Sequence, residues 1–266
     1  MDLISTTAEL AAACARLSKH PVITVDTEFL RETTYYPLLC VVQMASAEEA
    51  VVIDTLSQGI DLKPFFELMA NEKVLKVFHA ARQDIEIVWH QAGIVPHPIF
   101  DTQVAAMVLG YGDSIAYDQL VERITGHRPD KTHRFTDWSR RPLTAEQMHY
   151  AVSDVTHLRD VFTALDADLK KRGRSDWVSE EMEVLTSPKT YDFHPERAWE
   201  RLKTRVHESQ YRRLHRPSER GFEGHRGSAL PARARPRLPS APQVPWACAP
   251  ASSAVPTRVP DGNRKF

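Results

Sequence analysis

The first 206 residues predict an α/β fold, a mixed β-sheet flanked by helices. β-Branched runs bounded by turn residues cluster early in the chain, and helical periodicities then alternate with further strands. No internal repeat breaks that order, so the elements belong to one layered unit. Of the 266 residues, 42% are apolar and 26% charged, with a formal net charge of −1, so the chain can bury a core.

The elements follow in order. The opening MDLISTTAELAAACARLSKHP reads as an amphipathic helix, its apolar stretch broken at Arg16, Lys19 and His20. Pro21–Phe29 is a first predicted strand, Leu38–Ala45 a second and Ala50–Asp54 a third, with Ser46–Glu49 short enough for a hairpin turn. A helix over Leu62–Ala70 precedes a strand over Val74–His79. Arg82–Ala92 places Ile85, Val88 and Trp89 at helical spacing. A short strand, Pro98–Asp101, leads into a helix over Gln103–Leu109, and Tyr117–Thr125 is a further helix. Residues 126–142 are polar, basic and bounded by proline, a loop of functional character. Thr144 with Gln147 three residues on forms a capping box, and the helix it opens runs to Lys171, stopped by Gly173. Helices over Ser175–Leu185 and Pro195–Val206 complete the series.

The domain expectation is a folded α/β domain over residues 1–172, a helical linker over 173–206 and a non-globular tail over 207–266. Nine of the 18 prolines lie in the last 60 residues, where no helix or core is expected. That stretch carries eleven Lys+Arg against four Asp+Glu, or +7, leaving −8 for residues 1–206. Its Arg/Pro/Ala richness is what a shifted frame of GC-rich coding sequence gives, a reading favoured over an RNA-binding arm. No run approaches the ~18–20 apolar residues of a membrane helix. Cys14, Cys40 and Cys248 are odd in number and scattered, against a disulfide framework or a zinc site. A soluble, cytoplasmic, monomeric protein is the expectation.

Five residues stand out by position. Asp26 and Glu28 stand at i and i+2 at the end of the first strand, so both carboxylates project from one face. Burying such a pair is costly unless its charge is compensated, and hard Mg²⁺ or Mn²⁺ prefers carboxylate oxygens. Asp84 falls in the first turn of a helix just beyond a strand. Tyr150 and Asp154 lie four apart on the long helix, hence on one face. Singly each has a plain explanation: Asp84 as a favourable charge at a helix start, Asp154 as a solvated position, Tyr150 as a half-buried aromatic. Order and placement together carry the information.

Asp26-Thr-Glu28, His79-Ala-Ala-Arg-Gln-Asp84 and Tyr150-Ala-Val-Ser-Asp154 resemble the three exonuclease motifs of the DEDD superfamily, tyrosine subgroup. The segments VDTEFLRETTYYPLLCVVQMA, FDTQVAAMVLGYG, DWSRRPLTAEQMHYAVSDVTHLRDVF and YDFHPERAWERLK resemble bacterial ribonuclease D over residues 1–206. The resemblance implies a ribonuclease-H-like 3′–5′ exonuclease fold and metal-dependent removal of 5′-mononucleotides from RNA 3′ ends, notably in tRNA precursors. It also implies two divalent cations, Mg²⁺ or Mn²⁺. Asp26, Glu28 and Asp154 would hold the first, Asp26 would bridge to the second, and Asp84 would complete the site through water. Tyr150 would orient the attacking water, since its reference pKa near ~10 keeps it protonated.

Further substrate contacts are expected at Phe29 and Leu30, as a wedge or stack against the terminal base, with core packing an equal explanation. His79 is a candidate for the terminal ribose or phosphate, a structural histidine being the plainer reading. Lys131, His133, Arg134, Arg140 and Arg141 crowd the loop before the third motif, where a −8 domain needs local positive charge to hold a polyanion. Asp101 is expected to cap the following helix and Asp54 to be structural. The family implies one or two helical C-terminal domains where this chain has its proline-rich stretch. Two other functions compete: a DNA-directed exonuclease of the same superfamily, and a non-catalytic RNA-binding module.

Overall fold

A computed structural model describes residues 3–32, 34–130, 132–133 and 136–191. Lys131, Arg134, the helix expected over Pro195–Val206 and the stretch 207–266 lie outside the described residues.

Six strands form one mixed sheet in the order β1-β4-β3-β2-β5-β6. These are β1 Leu3–Ile4, β2 Val22–Leu30, β3 Leu38–Ala45, β4 Ala50–Asp54, β5 Leu75–Phe78 and β6 Ile99–Asp101. β2, β3 and β4 are an antiparallel meander, while β5 and β6 extend it in parallel on the far side of β2. The β3–β4 turn closes as expected: the Ser46 N–H donates to the Glu49 carbonyl at 2.8 Å, and the Ser46 hydroxyl accepts from Glu48 and Glu49 N–H. β3 and β4 are buried along nearly their whole length, the pattern of strands covered on both faces.

The opening segment departs from its expected single helix. β1 pairs in parallel with β4, and α1 begins only at Thr7 and runs to Leu17. The reason is local: Thr6 and Glu9 form a capping box, which fixes the helix start and frees Leu3 and Ile4 to pair.

The other helices are α2 Lys63–Met69, α3 Arg82–Ala92, α4 Thr102–Leu109, α5 Tyr117–Thr125, α6 Ala145–Arg172 and α7 Ser175–Leu185. Alternation along β4 separates the two faces. Val51 and Ile53 pack with Leu10, Leu17, Phe65 and Met69 of α1 and α2, whereas Val52 joins Cys40, Val41, Trp138 and Ala151 beneath the start of α6. α6 is the spine of the site. Thr144 and Gln147 form the expected capping box, Ala151, Val155, Leu158, Val161, Leu165 and Leu169 make its buried stripe, and Gly173 at φ 64° ends it. α7 falls in the segment expected as a linker. Its Val178 and Met182 are buried in the main core, as is Tyr191 beyond it.

Candidate active site

Strand β2, the turn after β5, the starts of α3 and α5 and the middle of α6 meet around a cavity of about 430 Å³. β2 supplies Asp26 and Glu28 from one face. A register shift against β3 falls between Glu28 and Phe29, twisting the strand end so that Phe29 also borders the cavity. α6 brings Asp154 opposite them. One carboxylate oxygen each from Asp26, Glu28 and Asp154 lies within 4.8 Å of the others. These residues are 128 positions apart in sequence at the extreme, and only the packing of α6 on β2 unites them.

Asp84 takes its place through a chain of supports. β5 ends at Phe78, and Ala80 adopts φ 58°, a left-handed conformation costly for a residue with a Cβ. The buried Asp101 carboxylate offsets that cost by accepting the N–H groups of Ala80 and Ala81 at 2.9 and 2.8 Å, while also capping α4 through Gln103 N–H at 2.8 Å. α3 then starts so that Asp84 lies in its first turn. The Thr27 hydroxyl donates to Asp84 Oδ1 at 2.5 Å. Arg31, one residue past β2, grips Glu86 of α3 through two bonds of 2.7 and 3.0 Å and so fixes α3 against the strand.

The electrostatics are those of crowded acids. Burial raises Asp26 to about 6, against the pull of the Thr27 N–H. Asp84 is pushed well up by burial first, then by the charges of Asp26 and Asp101, with Thr27 opposing. The Tyr150 phenol is also pushed up, by burial and then by Asp154, Glu28 and Asp26, and it hydrogen-bonds to the Asp154 side chain. Its ring sits 6.0 Å from that of the buried Trp138. Three clustered carboxylate oxygens, hard and anionic, suit a divalent cation of the Mg²⁺ or Mn²⁺ kind.

The remaining expected residues divide. Phe29 and His79 line the cavity, but both ring nitrogens of His79 are engaged: Nε2 donates to the Ile115 carbonyl at 3.2 Å and Nδ1 pairs with the Thr102 hydroxyl at 2.9 Å. Leu30 packs instead with the cluster around Cys40 and Trp138. Arg140 is exposed and pairs with Asp137. Arg141 turns inward, binding both Asp54 oxygens at 2.6 and 2.8 Å and donating to the Cys40 and Trp138 carbonyls. Burial alone would raise Asp54, yet Arg141, helped by the Leu56 N–H and the Ser57 hydroxyl, holds it below the usual range.

Two supports had no signal in the local pattern. Thr27, between the two acids on β2, borders the same cavity and meets Asp84 of α3, 57 residues further on. Tyr117, at the first position of α5, donates its hydroxyl to the Asp154 backbone carbonyl and walls the cavity.

A mixed sheet with carboxylates converging from its central strand and a crossing helix is the architecture of a nuclease domain. The chain belongs to the 3′–5′ exonuclease family, whose model matches residues 1–170. Its relatives include proteins named Ribonuclease D. That of Nitrobacter hamburgensis is 87% identical over 206 residues, covering 77% of this chain and 54% of the relative. That of Bartonella henselae is 52% identical over 206 residues, covering 77% and 51%. Among solved structures, Escherichia coli RNase D, described as an exoribonuclease involved in structured RNA processing, superposes with a TM-score of 0.70 at 32% identity over 75% of this chain and 53% of that one. The chain spans about half the length of the curated relatives it matches.

Proposed function

We propose that this chain is a 3′–5′ exoribonuclease that releases 5′-mononucleotides from RNA, with tRNA precursors or other structured RNAs with single-stranded 3′ ends as substrates. The observation that carries this reading is the convergence of Asp26, Glu28 and Asp154 beside the Tyr150 hydroxyl. The names of its relatives support RNA over DNA.

Asp26, Glu28 and Asp154 would hold a divalent cation, Mg²⁺ or Mn²⁺, with Asp26 shared with a second and Asp84 completing that position. When bound, such ions supply positive charge against the phosphate and make water a better nucleophile. Tyr150, kept protonated by burial and by its acidic neighbours, positions the attacking water rather than deprotonating it. Phe29 offers a ring to the terminal base at the cavity wall. His79, held at both ring nitrogens, shapes the wall beside it. The catalytic domain takes in residues 1–172, and the chain acts in the cytoplasm as a monomer; no described helix is long and apolar enough to cross a membrane.

A gel time course on 5′-labelled single-stranded RNA with Mg²⁺ or Mn²⁺ tests this, beside an EDTA control and Asp26→Ala. A ladder shortening from the 3′ end, absent in both controls, is the expected result. No ladder from folded protein would leave the binding-module reading standing, and equal rates on a matched DNA oligomer would remove the ribonuclease assignment.

A further inference from the structure

A second cavity, of about 390 Å³, is also bordered by Tyr150. Its floor is one stripe of α6, with Glu146, His149, Tyr150, Ser153 and His157 at helical spacing; its roof is the segment after α5, with His127, Asp130 and His133. Four of the chain's twelve histidines therefore face one space. Tyr150 and Asp130 border this cavity and the acid cleft alike, so the two adjoin.

We propose that this histidine-lined cavity seats the nucleoside next to the one being removed, its base lying against the imidazole rings. The proposal rests on the exonuclease reading. A strand whose terminal phosphodiester lies at the acids must place its last nucleoside in the acid cleft and lead the remainder away. The adjoining cavity offers it a space, and its volume falls within the range of small-molecule sites, roughly 300–1,000 Å³. The rings of His127 and His157 lie 5.1 Å apart at 36°, and those of His133 and Tyr150 lie 6.4 Å apart. Imidazole faces are among those on which RNA-binding proteins stack unpaired bases. Nδ1 of His133 and of His157 is buried with no hydrogen-bond partner among the described residues, so each has capacity for a ligand. Burial, together with His127 and His149, pushes His157 below its ordinary value, which favours a neutral ring over a phosphate-binding charge. Asp130 and Glu146 also disfavour a bare phosphate, and they suit the amino and hydroxyl donors of a base and ribose.

Two substrates separate the cavities. The methyl ester of uridine 5′-monophosphate carries one nucleoside, and its methoxy leaving group is too small to reach past the acid cleft; an RNA pentamer reaches both. In the full-length chain the double variant His127→Ala/His149→Ala, at two exposed positions, should raise KM for the pentamer about tenfold, the scale of losing one stacking partner. KM for the ester should move less than about twofold. The matched variant His127→Phe/His149→Phe keeps a ring at each position and should bring the pentamer KM back to within about threefold of wild type. Equal changes for both substrates, no change for either, or a phenylalanine variant as impaired as the alanine one would overturn the proposal. So would Zn²⁺ that wild type retains through dialysis against Mg²⁺ buffer and the double alanine variant loses, an outcome that makes the cavity a metal site. Folded wild-type chain that hydrolyses neither substrate would bring down the exonuclease reading, and this proposal with it.

Discussion

Three carboxylates whose oxygens lie within 4.8 Å of one another repel when no cation is present. Each pair at that distance costs about 1 kcal/mol even at the dielectric of water. Asp154→Asn removes one of the charges while preserving an oxygen for the Tyr150 hydrogen bond. In EDTA the variant should therefore melt higher than wild type, by roughly 2–4 °C for a domain of this size. Wild type should rise further in Mg²⁺ and the variant should not, and hydrolysis by the variant should fall on the order of 10³-fold. A lower melting point in EDTA would mean that Asp154 stabilises the metal-free fold and that the repulsion argument is wrong. Tyr150→Phe tests a different atom. The ring keeps its packing near Trp138, so the melting temperature should stay within about 2 °C and KM should hardly move. Loss of the hydroxyl should lower kcat about 10²-fold; a kcat near that of wild type would exclude a role in positioning water.

At the level of elements, the seat of Asp84 depends on the turn between β5 and α3, and that turn depends on Asp101. Asp101→Ala would orphan the N–H groups of Ala80, Ala81 and Gln103 and leave Ala80 strained at φ 58°. A loss of about 2–4 kcal/mol in urea unfolding is expected, with activity falling beyond what the unfolded fraction explains. Lys76 gives the same region a pH signature. Its ammonium is buried in β5 and donates to the Asn71 and His97 carbonyls, and burial lowers it to about 8 despite Glu72. Between about pH 8 and the unfolded-state value near ~10.4, the unfolded chain binds more protons than the folded one, so this group makes stability rise with pH. Below pH 8 both states are charged and the contribution is flat. Urea midpoints of wild type minus Lys76→Met, taken from pH 7 to 10, should show that rise; a flat difference would refute the lowered value. These supports also mark what the sequence could not disclose. The acids and Tyr150 were legible because each sits in a short motif whose spacing fixes a face, and α6 because its cap, stripe and terminal glycine agree. Thr27 with Asp84, Tyr117 with Asp154 and Arg141 with Asp54 are pairs 57, 37 and 87 residues apart, set by packing that no local period encodes. Arg141 read as a basic loop residue for the same reason: its partner lies on another strand.

Over the whole molecule, charge is divided unequally. Residues 1–206 carry −8 and residues 207–266 carry +7, so a polyanionic substrate meets opposite fields on the two parts. The family match ends at residue 170, and every group assigned to chemistry lies before it. A trimer of RNA extends only one nucleoside beyond the acid cleft and the adjoining histidine cavity. Ending the chain after Val206 should therefore leave kcat/KM for a trimer within about twofold. A 30-mer presents phosphates beyond those cavities, where eleven basic side chains would displace counterions. There the truncation should flatten the dependence of log affinity on log salt by about 0.7 for each phosphate that the shortened chain no longer neutralises. A tenfold or greater fall on the trimer would mean that residues 207–266 belong to the catalytic unit. An unchanged slope on the 30-mer, with the trimer also unaffected, would mean that this stretch contributes nothing to RNA binding, the outcome that the shifted-frame reading requires. Salt separates these cases because binding through displaced counterions weakens steeply with ionic strength, whereas stacking in a cavity does not.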